Sequence, residues 1–137
     1  MLKLTKNQHM KNRAFSTNIM MQVLFGFSIL LSTYLALMPT ADMPNIFNIW
    51  DKFQHALGFI ALTLIASLAY SNKTKLIYIA LILYGAFIEI AQHAFTTTRL
   101  GEVSDLLADI IGVVLGACIY MICLNVISYI KTNKSIV

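Results

Sequence analysis

Charge is what this sequence has least of: 12% of its 137 residues are Asp, Glu, Lys or Arg, against 58% hydrophobic, and the mean hydropathy is +0.74. So little polar surface cannot cover a water-soluble globule of that size, and lipid must supply the solvent. Six glycines and two prolines, scattered singly or in pairs, exclude a flexible linker or a low-complexity tract. No internal repeat divides the chain, so one membrane domain is expected. The two cysteines, Cys118 and Cys123, are five positions apart in one apolar run. A helix turns them about 140° from one another, which excludes a mutual disulfide and favours two small apolar residues in a packed helix. No dedicated metal signature such as His-Glu-x-x-His is present, and the sequence leaves the cofactor unknown.

What is there is four apolar runs, at 19–38, 53–70, 76–95 and 106–129. At about 1.5 Å per residue each can cross a hydrocarbon layer about 30 Å thick. The fold class expected is an all-α membrane protein, a four-transmembrane-helix bundle. The domain expected is 19–129, flanked by a basic cytoplasmic tail at 1–18, polar and loosely held at the membrane surface, and a cytoplasmic tail at 130–137. The first run is too long for a signal peptide, and no small-x-small cleavage site follows it.

The net charge of +4 reports topology. Lys3, Lys6, Lys11, Arg13, Lys73, Lys75, Lys131 and Lys134 fall in the two tails and the second connection, which share one side of the membrane. Only Lys52 and Arg99 lie in or beside the first and third connections. The positive-inside rule therefore places both termini in the cytoplasm, and the basic excess does not imply nucleic-acid binding. Asp42, Asp51, Glu89, Glu102, Asp105 and Asp109 all sort to the opposite, outer end.

Helix 1 carries no charge and reads as a packing or lipid-facing element that ends at Pro39, with Pro44 behind it. The segment 39–50 is amphipathic and carries Trp50, a residue type that settles among headgroups. Chemistry is concentrated in the other three helices. Asp51 and His55 are four apart, as are Asp105 and Asp109, while Gln92 and His93 follow Glu89 by three and four residues. Each pair shares a helical face, so three polar faces meet at the outer end. Gln92 and His93 point about 100° apart, so both cannot face the cluster equally. Glu89 lies about 9 Å along its helix from the end at Phe95, deep enough to require an inward-facing partner. Lys52, His55 and Arg99 are the partners available, and Ser104 is the expected N-cap of helix 4. Gly112 and Gly116 permit close helix approach, used for packing within the bundle or for a homo-oligomer.

Three uses of the cluster are consistent with this pattern. One is a ligand or catalytic site for a polar headgroup, with Glu89, Asp105 and His55 as acid, base or ligand groups, Asp51, Lys52, Gln92 and Asp109 lining it, and Arg99 as anion anchor. The second is a structural network pinning four helices in register. The third, proton- or ion-coupled transport, is disfavoured by charge at one end only and none in helix 1. Asp, Glu and His could hold a hard or borderline cation, but the spacing matches no dedicated metal signature, and no metal site is assigned.

At these residues the sequence resembles the VanZ-like family of small bacterial membrane proteins, named for an accessory protein of glycopeptide-resistance clusters. The resemblance runs from Asp51 to Gly116: Asp51-Lys52-x-x-His55 with Phe59, then Tyr84-Gly85, Glu89-x-x-Gln92, Arg99, and Asp105-Leu106-Leu107-Ala108 leading to Gly112 and Gly116. Asp109 stands where the family commonly has Asn, and Thr96-Thr97-Thr98 replaces the proline often found before the Arg. The resemblance implies a multi-pass protein of the bacterial inner (cytoplasmic) membrane with a cell-envelope role. The founding member's association with low-level teicoplanin resistance makes a membrane lipid, a lipid-linked wall precursor or a lipoglycopeptide the expected class of partner.

Overall fold

A computed structural model describes residues 2–38, 48–95 and 102–134, with side chains at 17–38, 51–95 and 102–134. Four helices account for nearly all of them: α1 (Leu2–Leu37), α2 (Asn48–Ala69), α3 (Thr74–Phe95) and α4 (Val103–Lys134), with one 3₁₀ turn, Ser71–Lys73, between α2 and α3. All four contain stretches long and apolar enough to span a membrane: Thr17–Leu37, Asp51–Ala69, Ser71–Phe95 and Val103–Lys134.

Two helices outrun the spans expected from hydropathy. α1 starts at Leu2, where a loose tail is expected from the sequence, and α4 continues to Lys134. Hydropathy marks where lipid ends; backbone hydrogen bonding continues until a residue interrupts it. No proline or glycine occurs before Gly26 in α1 or after Gly116 in α4.

Side-chain pairings fix the directions. Lys52 and His55 meet Asp105 and Asp109, while Ile60 and Thr63 lie beside Gly116, so α2 and α4 run parallel. Ser67 near the end of α2 meets Tyr78 near the start of α3, so these two are antiparallel. Ser32 meets Tyr84 and Ala36 meets Gln92, making α1 parallel to α3. The bundle is therefore up-down-up-down, and the starts of α2 and α4 lie at one end with the finishes of α1 and α3.

The tightest contact is between α2 and α4. A Cβ on Gly112 would lie 2.5 Å from the Ala56 carbonyl oxygen, and one on Gly116 would lie 2.8 Å from Thr63 Cβ. The Gly-x-x-x-Gly spacing thus serves packing inside the bundle. Phe59, Leu62, Ala66, Leu81 and Val113 form the apolar core below the polar end. α1 stands at the edge, and none of its described side chains is fully buried; it is half-buried along a stripe that includes Phe25, Ile29, Ser32, Thr33 and Ala36. Its hydroxyls bond to its own carbonyls, Ser28 to Leu24 and Thr33 to Ile29 at 2.8 Å each, which spares lipid an unsatisfied donor. Ser32 Oγ and Thr33 Oγ1 each lie 2.8 Å from the Tyr84 hydroxyl, tying α1 to α3.

Candidate functional site

Each polar residue at the end where α2 and α4 begin is placed by helical spacing and by the close α2–α4 contact. Lys52, on the first turns of α2, spans to α4: its Nζ donates to Asp105 Oδ1 at 3.0 Å and to Glu102 Oε2 at 3.1 Å. Glu102 precedes α4, and its carbonyl accepts the Asp105 and Leu106 N–H groups, so Glu102 occupies the capping position expected of Ser104. Ser104 instead donates its hydroxyl to Glu102 Oε2 at 2.9 Å. That hydroxyl and the Lys52 ammonium hold the Glu102 carboxyl below the usual carboxylate range.

One turn deeper the chemistry changes. His55 Nδ1 donates to Asp109 Oδ1 at 2.9 Å, the tautomer a carboxylate acceptor selects. Glu89, arriving from α3, points at the same imidazole, with Oε1 4.0 Å from Nδ1. Its other oxygen, Oε2, accepts the Glu102 backbone N–H at 2.8 Å, fastening the end of α3 to the start of α4. Asp109 is fully buried. Its Oδ2 rests against Gly85, where a Cβ would come within 2.7 Å of it. Three buried side-chain oxygens have no hydrogen-bond partner among the described residues: Glu89 Oε1 and Asp109 Oδ2 in the cluster, and Thr63 Oγ1 further along α2.

The cluster therefore contains two carboxylates and an imidazole brought together from three helices, capped by a layer in which the buried Asp105 is held by the more exposed Lys52 and Glu102. His55, Glu89 and Asp109 present donor atoms within 4.8 Å of one another, as do Asp51, His55 and Asp105. Such groups can accept hydrogen bonds from a hydroxyl or amine, exchange a proton, or contribute nitrogen and oxygen ligands to a cation.

Not every expected residue joins them. Gln92 is buried but turns to α1, donating from Nε2 to the Ala36 carbonyl at 3.0 Å. His93 is exposed. Arg99, Pro39, Pro44 and Thr96 to Thr98 lie outside the described residues, as does the Trp50 side chain. Sequence reasoning missed the Glu102 capping role and the Tyr84 tether. The available signals were an acidic residue just before an apolar run and adjacent hydroxyls in an otherwise apolar helix.

The VanZ/LLP1 family model matches residues 3–124, nearly the whole chain. The chain belongs to the VanZ/LLP1 family. The match covers α1 as well as the stretch from Asp51 to Gly116 that carries the sequence resemblance. No curated protein and no solved structure matches it. In this VanZ/LLP1 chain the recurring residues have separable physical tasks. Lys52 and His55 pair with α4, Tyr84 and Gln92 hold α1, and Gly85 leaves room for Asp109. Gly112 and Gly116 admit the α2 backbone.

Proposed function

We propose that this VanZ/LLP1 membrane protein binds the polar head of an amphiphilic envelope ligand at the outer face of the bacterial cytoplasmic membrane. The observation that carries the reading is the convergence of Lys52, His55, Glu89, Asp105 and Asp109 from three helices at one end of an otherwise apolar bundle. Ionisable groups within membrane helices are costly, and when clustered and facing inward they mark sites. The orientation is part of the proposal and is supported by the basic residues of both tails and of the second connection, which the positive-inside rule assigns to the cytoplasm. Ligand classes that suit it are a phospholipid headgroup, a lipid-linked wall precursor and a lipoglycopeptide. Low-level teicoplanin resistance is the corresponding phenotype. Glu89, Asp105 and His55 are the acid, base or ligand groups, while Asp51, Lys52, Asp109 and Arg99 shape the charge around them.

A structural reading is favoured by one observation, the bond from Glu102 N–H to Glu89 Oε2, which staples α3 to α4. The two readings separate in one experiment. Teicoplanin and vancomycin susceptibility is measured in a sensitive bacterium expressing wild type, Glu89→Gln or Asp105→Asn, with membrane abundance quantified for each. A wild-type effect on teicoplanin that disappears in fully abundant variants supports the site. Loss of abundance in step with the phenotype supports the staple, and no effect from an abundant wild type removes the resistance role.

A further inference from the structure

The two unpartnered carboxylate oxygens raise a question that hydrogen bonding inside the bundle leaves open. Glu89 and Asp109 put two carboxylates beside one imidazole. The Lys52 ammonium is engaged one turn above by Asp105 and Glu102. Buried carboxylate oxygens without donors are rare because each forfeits its hydration. The side chains bearing them are about nine-tenths buried or more: 10% exposed for Glu89 and 0% for Asp109. Both reach the same imidazole, His55 Nδ1 lying 2.9 Å from Asp109 Oδ1 and 4.0 Å from Glu89 Oε1.

We infer that His55, Glu89 and Asp109 form a binding site for a divalent transition cation of the Zn²⁺ or Mn²⁺ type. Donors about 2.0–2.2 Å from a common tetrahedral or octahedral centre lie roughly 3.0–3.5 Å apart. The two separations from His55 Nδ1, 2.9 and 4.0 Å, bracket that range, and all three donor atoms lie within 4.8 Å of one another. The cation takes the place of the proton between His55 Nδ1 and Asp109 Oδ1; the neutral imidazole keeps its one proton by shifting it to Nε2, which frees the Nδ1 lone pair as the ligand. The cation's charge offsets two carboxylates. One nitrogen and two or more oxygens suit a borderline cation better than Mg²⁺, which prefers an all-oxygen shell and keeps its waters. The alternative trio, Asp51, His55 and Asp105, is the weaker candidate because Asp105 already accepts from the Lys52 ammonium. Three protein donors leave coordination positions open, so the cation can anchor a phosphate, carboxylate or hydroxyl of the envelope ligand. That last step rests on the function proposed above; cation binding itself does not.

The test uses the full untagged chain, purified in detergent, stripped with a chelator, and titrated calorimetrically with Zn²⁺, Mn²⁺ and Mg²⁺. Metal retained after desalting is counted by mass spectrometry. One equivalent of Zn²⁺ or Mn²⁺ per chain is expected, with Mg²⁺ at least tenfold weaker. Glu89→Gln and Asp109→Asn, near-isosteric changes checked for folding by circular dichroism and gel filtration, should each weaken binding at least tenfold. His93→Ala, which removes an exposed histidine on α3, should leave it unchanged. No retained metal in folded wild type overturns the inference, as does loss of binding in His93→Ala with retention in folded Glu89→Gln. Metal-free wild type with a Glu89-dependent teicoplanin phenotype would sink the cation and spare the ligand reading. Metal bound without any phenotype would do the reverse.

Discussion

α2 and α4 meet along one seam whose two halves use opposite chemistry. In the polar half, Lys52 and His55 face Asp105 and Asp109, and side-chain hydrogen bonds of 3.0 and 2.9 Å join the two helices. In the apolar half, Ala56, Phe59 and Thr63 lie against Gly112 and Gly116, where two absent side chains let the backbones approach. Lipid offers little hydrophobic drive to join two helices, so close packing has to supply cohesion and register. The glycine half therefore determines which α4 residue each α2 residue meets. The polar half inherits that register and carries two buried carboxylate oxygens, Glu89 Oε1 and Asp109 Oδ2, that no described donor satisfies.

This contrast can be broken from either side. The largest effect is expected from His55→Leu, which leaves the fully buried Asp109 carboxyl without its partner. A loss of about 3–5 kcal/mol is predicted in a denaturing-detergent titration, and most of it should be recovered when Asp109→Leu is added. Gly112→Ala attacks the other half, since its methyl meets the Ala56 carbonyl. It should cost about 1–3 kcal/mol and weaken the polar half too, because the register shifts. A Gly112→Ala variant with unaltered stability would show that the seam is looser than described. Tyr84→Phe tests whether α1 stands apart: losing the hydroxyl to Ser32 and Thr33 should cost about 0.6–1.5 kcal/mol while leaving the His55–Asp109 pair intact. The smallest effect belongs to Glu102→Gln at the half-exposed rim, about 0–1 kcal/mol in the same assay. Because the folded Glu102 carboxyl is held low, its contribution is fully present above its ordinary pKa of about 4.3. It fades as pH falls through the lower folded value, and Glu102→Gln should abolish that acid-side slope.

Much of this was legible from residue spacing. Four apolar runs became four spanning helices, and the i, i+4 pairs on α2 and α4 delivered His55, Asp105 and Asp109 to one end. Glu89 had the depth that demanded a partner. Pairing was less legible, because it depends on how far each helix is rotated. That rotation is set by contacts such as Gly116 against Ile60 and Thr63, which no single run of sequence displays. Hence Glu89 takes a backbone N–H from Glu102, Lys52 goes to Asp105 and Glu102, and Gln92 turns to α1. The start of α1 was missed for a different reason, since a basic, polar stretch can remain helical outside lipid when nothing in it breaks the helix.

The parallel pairing of α2 with α4 also orders events during synthesis. The partner of His55 lies 54 residues downstream, on the last of the four helices to leave the ribosome. α2 and α3 must therefore enter the membrane with His55 and Glu89 still lacking α4. A chain cut short before Asp105 would carry these polar groups uncovered in lipid, and membrane proteases that recognise poorly packed helices could discard it. The cluster is complete only once α4 has joined α2 and α3.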